Sequence, residues 1–297
     1  MDLFSSSEAT GIAYGAGTVL NAMAMQHGCA FGIDLYTRVR VRLKPGEFKV
    51  KYSTQTDKGK TLKVNDTLVR ECIKEYFNEA GIEPLFSFDV LATTSIPPAK
   101  GLKSSSSLSL ALELALNGLS GLGIDDETLL RLSVAASRAA GVTMTGAYDD
   151  ACACYFGGYN VTDNRENRLI RREPIEDLAV LIYLGRGKAY SGKMTQEMFN
   201  PIKERIMRAY DWAVNHNYSK AMRLGTRAYC EVFGYDDALV EVALDAGAEM
   251  CGLSGKGPAF HALVKREKLH KVMDAWKLHG YKNLIITGTN NRKAGLV

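Results

Sequence analysis

The stretch Ile96-Pro-Pro-Ala-Lys-Gly-Leu-Lys-Ser-Ser-Ser-Ser107 runs directly into Leu108-Ser-Leu-Ala-Leu-Glu-Leu-Ala-Leu-Asn-Gly118, an apolar pattern of helical character. It reads as a loop feeding a helix N-terminus. Pro97 and Pro98 stiffen the entry, and Gly101 lets the backbone approach a ligand closely. The serines then fall where a helix exposes unpaired N–H groups and a partial positive charge. Lys100 and Lys103 add full charges. Phosphate, or a chain of phosphates, suits this chemistry. A Pro-Gly-Ser turn with a serine N-cap fits the same letters, although one serine is enough for a cap. The stretch is not a Walker A loop, which needs Gly-x-x-x-x-Gly-Lys-Ser/Thr.

Composition limits what such a loop can belong to. With 297 residues, 46% of them hydrophobic, the chain can bury a large core and is long enough for two compact domains. The net charge of +4 is modest, and basic residues alternate with acids, which argues against a nucleic-acid partner or a membrane surface and leaves small anions compatible. No apolar run approaches the ~20 residues of a membrane span, and the start Met1-Asp-Leu-Phe-Ser-Ser-Ser-Glu8 lacks the pattern of a signal peptide. A cytoplasmic protein is expected. The six cysteines show no Cys-x-x-Cys spacing and are expected as free thiols. Cys152-Ala-Cys154 lacks a second ligand pair, and the five histidines form no i, i+4 pair.

Before the serine loop, Ala13-Tyr-Gly-Ala-Gly-Thr-Val-Leu-Asn-Ala-Met-Ala-Met25 predicts a small-residue turn followed by a helical segment. Gly15 and Gly17 there serve either a ligand-facing loop or tight packing. Residues Cys29 to Leu43 alternate as a half-buried strand with Arg38, Arg40 and Arg42 on the wet face. Pro45-Gly46 predicts a hairpin into Glu47 to Tyr52, and Val69, Cys72, Ile73, Tyr76 and Phe77 predict a helix ended by Gly81. Phe86 to Leu91 returns to strand.

After the loop helix, Asp125-Asp-Glu127 opens a helix to Ala140. A second polar constellation follows, Gly141-Val-Thr-Met-Thr-Gly-Ala-Tyr-Asp-Asp-Ala151. Its adjacent Asp149 and Asp150 suit a general base, a metal ligand or a helix cap with a solvated neighbour. Turn formers from Gly157 to Asp177 mark a domain boundary. Beyond it come a strand at 178–184, helical spacing from Thr195 to about Val232 with breaks near 215–217 and at Gly225, and a helix from Asp236 to Ala246. The third cluster is Gly252-Leu-Ser-Gly-Lys-Gly-Pro258. Strand, helix and strand then close the chain. The order predicts an α+β fold, antiparallel sheets with helices on one face.

The three polar clusters, in this order, resemble those of the GHMP kinase superfamily of galacto-, homoserine, mevalonate and phosphomevalonate kinases. The superfamily's Pro-x-x-x-Gly-Leu-Gly-Ser-Ser is matched by Pro97-Pro-Ala-Lys-Gly-Leu-Lys-Ser-Ser105, with Lys103 in place of the second glycine. The Gly-Leu-Lys-Ser-Ser-Ser variant is similar to the archaeal-type shikimate kinase branch. So are Ala13 to Ala22, Ala30-Phe-Gly-Ile-Asp-Leu35 and Thr145-Gly-Ala-Tyr-Asp-Asp-Ala151. The resemblance implies a two-domain GHMP kinase fold. Residues 1–170 would be an N-terminal ATP-binding domain like domain 2 of ribosomal protein S5, and 171–297 a ferredoxin-like C-terminal GHMP-type domain.

It further implies transfer of a phosphoryl group from ATP, with Mg²⁺, to the 3-hydroxyl of shikimate. Pro97, Pro98, Ala99, Lys100, Gly101, Leu102, Lys103, Ser104, Ser105 and Ser106 would wrap the triphosphate, and Ser105 would meet the metal. Thr18, Asn21, Asp34, Thr145, Gly146, Gly255 and Gly257 would bind the acceptor. The base lies seven residues before a glycine, which selects Asp150 from Gly157; the Asp-polar-Ala pattern selects Asp149 instead, and the other aspartate would serve Mg²⁺. Several of these kinases carry Pro-Gly-Lys where this chain has Ala16-Gly17-Thr18, so Lys103 or Arg138 would have to replace that lysine. Arg138, Arg186, Lys188 and the Arg38 strand are the groups open for the shikimate carboxylate. A homoserine or mevalonate kinase, or a ligand sensor without turnover, would fit the same fold.

Overall fold

The computed structural model describes residues 6–63, 65–83, 86–186 and 194–297. Its first sheet is built on two long strands, β1 (Glu8–Leu20) and β2 (His27–Pro45), which pair antiparallel. Across β2 lies β4 (Phe86–Thr94), with β3 (Lys49–Thr56) parallel to β4 at the edge. The early part of β2 pairs instead with β5 (Tyr159–Asp163), which carries β6 (Arg168–Glu173). Four helices cover one face: α1 (Thr67–Ala80), α2 (Ser104–Ser120), α3 (Asp126–Ala139) and α4 (Tyr148–Phe156). Val39, Val41, Phe88 and Val90 point into this layer, while Arg38 stays exposed on the other face, the period-2 division expected of a half-buried sheet. Helix α2 is buried on nearly every side, which is why its sequence is apolar all round rather than striped.

The second sheet runs β10 (Leu284–Gly288), β7 (Ala179–Tyr183), β9 (Phe260–Val264), β8 (Met250–Leu253), all antiparallel. Helices α5 (Lys203–Val214), α6 (Tyr218–Phe233) and α7 (Ala238–Asp245) lie between β7 and β8, and α8 (Leu269–Leu278) lies between β9 and β10. This is the β-α-β-β-α-β path of a ferredoxin-like unit, its four strands in spatial order 4-1-3-2. The chain then returns: β11 (Gly295–Leu296) pairs with β1, and Gly158 N donates to Asn290 O at 2.8 Å. Val19, Leu20, Phe31 and Ile33 belong to one apolar cluster with Leu181, Ala221, Met222 and Leu263, so β1 and β2 are the wall shared by the two layers. At the end of that wall Thr18 and Asn21 of the first sheet meet Gly255 of the second layer.

Three local expectations are corrected. Residues 13–20 are strand rather than turn and helix, because Ala13, Ala16, Val19 and Leu20 are buried between helices on one side and the second layer on the other. The hairpin at 45–46 does not form: β4 inserts between β2 and β3, since Phe88, Val90 and Ala92 are fully buried and demand the inner position, whereas Lys49 and Lys51 suit an exposed edge. Helix α6 runs unbroken through Gly225, where a Cβ would lie 2.7 Å from the Leu20 side chain. The change of sheet falls between β6 and β7, so position 170 lies within a strand. All six cysteines are free and buried, Cys152 and Cys154 among them.

In the second layer Trp276 is fully buried, its indole N–H donating to Leu239 O at 2.9 Å. Trp276→Ala would leave a cavity and an orphaned carbonyl between α7 and α8. A loss of about 3–5 kcal/mol in urea-denaturation stability is expected; a loss below about 1 kcal/mol would show that this core does not depend on the indole.

Candidate active site

Helix α2 begins at Ser104, and the residue at its N-cap is Lys103 (φ 63), with no side-chain cap bond. The serine cap is therefore not what the serines supply. The first N–H groups of α2 have no intrahelical acceptor. Upstream the backbone alternates in hand, with Ala99 (φ 56) and Gly101 (φ 81) also left-handed. Alternating hands turn successive N–H groups to one concave side, an anion-binding nest. Such φ values are costly for Ala99 and Lys103, a strain that is kept where the backbone has a task. Leu102 anchors the loop in the core, and Ser107 Oγ donates to Ala13 O at 3.0 Å. Ser104 and Ser105 remain half-buried at the helix start.

Facing the nest is the first turn of α4. Arg138 prepares it: its Nη2 donates to Thr145 O at 3.0 Å, and its guanidinium lies where a Cβ on Gly146 (φ 82) would sit. Thr145 Oγ1 accepts from Ala147 N at 3.2 Å, and the chain enters α4 with Asp149 and Asp150 near its positive end.

The two aspartates have different surroundings. Asp149 is 3% exposed, and its Oδ1 accepts from Asn164 Nδ2 at 2.7 Å. Asn164 Oδ1 in turn accepts from Asp149 N and from Thr162 Oγ1. A Cβ on Gly28 would lie 2.6 Å from the Asp149 carboxyl carbon, so only glycine lets β2 pass it. Burial, and then the charge of Asp150, push the Asp149 carboxyl up to about 7, against opposing pulls from Lys103 and Asn164. Asp150 instead forms an ion pair with Lys103, whose Nζ stands 2.8 Å from its Oδ1. Both side chains are largely buried, at 6% and 17% exposure. The cation that stands beside Asp150 is thus Lys103 of the loop, while Arg138 is bonded to Thr145 O.

The turn after β8 closes the constellation. Ser254 Oγ donates to Gly101 O at 2.8 Å, and a Cβ on Gly101 would come within 2.1 Å of Ser254 O. Gly255 N donates to Thr18 Oγ1 at 2.8 Å, while Asn21 Nδ2 donates to Gly255 O at 2.9 Å. Tyr229 on α6 fixes that end of β1, donating to Asn21 O and accepting from Ala24 N. Lys100 Nζ donates to Gly185 O at 3.0 Å, tying the loop to the end of β7.

The structure thus brings together Thr18, Asn21, Lys100 to Ser105, Thr145, Gly146, Asp149, Asp150, Gly255 and Gly257. It does not bring Asp34 there. Asp34 is exposed, ion-paired with Arg292, and six residues along β2 from Gly28, roughly 20 Å at strand rise. Lys188 lies outside the described residues. Asn164 and Tyr229 are additions that no motif signalled; Asn164 follows a strand and looks like a turn former.

An anion nest opposite an aspartate–lysine pair, in a cleft between these two layers, is the equipment of a small-molecule phosphotransferase of the GHMP class. The sequence profile of the GHMP kinases N terminal domain matches residues 67–158. A shikimate kinase of Methanosarcina acetivorans is 37% identical over 284 residues, 95% of this chain and 94% of that protein. One of Pyrococcus abyssi is 35% identical over 272 residues, 91% and 96% of the two chains. Among solved structures, homoserine kinase from Cytophaga hutchinsonii superposes with a TM-score of 0.73 at 18% identity, covering 99% and 98%. Methanococcus jannaschii mevalonate kinase gives 0.71 at 15%, covering 97% and 100%. These last two establish the fold. The chain belongs to the archaeal shikimate kinase family of GHMP kinases, and it is an ATP-dependent small-molecule kinase.

A carboxyl raised from the ordinary aspartate range to about 7 favours the fold when protonated, and this contribution is lost as pH rises from about 4 through about 7. Asp149→Asn keeps the shape and removes the charge. The stability of the variant should therefore gain on that of wild type as pH goes from 5 to 8, by up to about 2–3 kcal/mol, read as a rise in its relative melting temperature. A difference independent of pH would show that Asp149 is ordinary in the folded chain.

Proposed function

We propose that this chain transfers the γ-phosphoryl group of ATP to the 3-hydroxyl of shikimate, with Asp150 as the base. The observation that carries this reading is the 2.8 Å pair of Lys103 and Asp150, because it joins the phosphate loop to the acceptor side through one contact. The hydroxyl gives its proton to the Asp150 carboxylate, its oxygen forms the bond to γ-phosphorus, and the bond from γ-phosphorus to the bridging oxygen breaks to release ADP. The nest over 99–103 and the start of α2 bind and orient the phosphates, so the reaction needs little from the protein beyond position and charge. Lys103 holds Asp150 in place, and its charge faces the oxygens on which negative charge gathers. Asn164 and Gly28 lock Asp149 away from that role, so Asp149 sets the aim of the α4 turn.

Mg²⁺ fits the oxygens present. Among the described residues no three His, Cys, Asp or Glu side chains group into a metal cage, as suits an ion carried mainly by phosphates. Ser105 is the hydroxyl that would complete its shell, and Asp149 is too enclosed to do so. When bound, Mg²⁺ neutralises charge on the β- and γ-phosphoryl oxygens.

Wild type, given shikimate, ATP and a magnesium salt, should release ADP and shikimate 3-phosphate, and homoserine and mevalonate should not substitute. Asp150→Asn should lower kcat by more than about a hundredfold with the fold intact, the expected cost of losing a general base. Asp149→Asn should stay within about tenfold of wild type. Reversal of that order would move the base to Asp149; turnover of homoserine or mevalonate without shikimate would move the acceptor.

A further inference from the structure

Helix α4 carries the aspartate pair but does not cap itself. Its N-cap residue is Ala147 (φ 55), which has no polar side chain, and the nearby Thr145 Oγ1 accepts from Ala147 N instead. The N–H of Asp149 lies in the first turn, where no intrahelical carbonyl is available. Its acceptor comes from another part of the chain: Asn164, the residue after β5, takes Asp149 N on its Oδ1 at 3.2 Å.

Asn164 is 0% exposed, and its amide has one orientation. Oδ1 also accepts from Thr162 Oγ1 at 2.7 Å, while Nδ2 donates to Asp149 Oδ1 at 2.7 Å. A flipped amide would set an N–H against the Asp149 N–H and an oxygen against the carboxylate. One side chain thus grips both the backbone and the carboxyl of Asp149. Its own backbone is held as well, since Asn164 N donates to Gln26 O at 2.7 Å, beside the pairing of His27 in β2 with Asp163 in β5. Gly28 closes over the same carboxyl. The start of β2 and the end of β5 together form a pedestal under the first turn of α4.

Asp150 is the next residue, about 100° round the helix, so whatever fixes the roll of that turn fixes its direction. Arg138 and Thr145 shape the approach ahead of the helix, and Lys103 meets the Asp150 carboxylate itself. Asn164 is the group that holds the turn beneath it. We propose that Asn164 is a positioning residue of the phosphoryl transfer, a cap supplied from β5 that aims the Asp150 carboxylate at the acceptor hydroxyl. The inference rests on Asp150 being the base. Asn164 acts through Asp149 and the helix turn, and an error of about 1 Å in a reacting group costs on the order of a hundredfold in rate, so a cap remote from the chemistry shows in kcat.

A double-mutant cycle of Asn164→Leu with Asp150→Asn, read by steady-state kinetics with shikimate and ATP varied separately, tests this. Asn164→Leu keeps the branch at Cγ and removes every polar bond. It should lower kcat by about 30-fold while both KM values change less than about threefold. In the Asp150→Asn background the same substitution should cost less than about threefold, because the group it aims is already gone. A purely structural cap would cost the same in both backgrounds. Asn164→Ser, too short to hold the carboxyl and the backbone together, replaces the leucine variant if melting shows that it does not fold. A kcat for the folded variant within about threefold of wild type, or an equal loss in the two backgrounds, overturns the assignment while leaving the kinase reading standing. A wild type silent on shikimate, or full turnover by Asp150→Asn, removes the reading it rests on and the inference with it.

Discussion

Everything in the cleft depends on one contact, the ion pair of Lys103 with Asp150. It joins the loop over residues 99–103 to the helix that carries Asp149 and Asp150. Two charges at 6% and 17% exposure lose most of their hydration, and their attraction offsets that only if the geometry is held. Such a pair is a weak source of stability. It fixes instead where each group points, and the surrounding contacts act to keep it so: the left-handed backbone at Lys103, the Asn164 bonds behind Asp149, and the Arg138 bond that shapes the approach to α4.

The division of labour between the neighbouring aspartates follows from burial. Adjacent residues in a helix point about 100° apart, so one carboxyl can face the core side while the other faces the cleft. Asp149 is packed under β2 at Gly28, where burial and the neighbouring charge favour its neutral form; Asp150 keeps a cation beside it on the side of the nest. Two like charges in one turn would repel. Burial that favours the neutral form of one, and a lysine beside the other, ease that conflict.

Much of this was legible in the letters. The α+β class, the helix ended by Gly81, the acidic start of α3 and the three polar clusters all follow from spacing and turn chemistry. What was not legible is tertiary. Nothing local tells Lys103 that its partner is Asp150, and the same lysine reads equally well as extra charge for a phosphate. Residues 13–20 are rich in alanine and glycine, weak strand formers that are drawn into β1 by burial on both faces. Asp34 sits in a conspicuous motif, yet the strand carries it to an exposed pair with Arg292. Asn164 and Tyr229 are defined only by what the fold lays against them.

The most direct test of the account is a crystal structure of the chain with shikimate and a non-hydrolysable ATP analogue. The account predicts the 3-hydroxyl within about 2.6–3.2 Å of an Asp150 oxygen, in line with a γ-phosphate seated at the start of α2, with Lys103 still paired to Asp150. A hydroxyl facing Asp149, or phosphates lying away from residues 99–105, would contradict it.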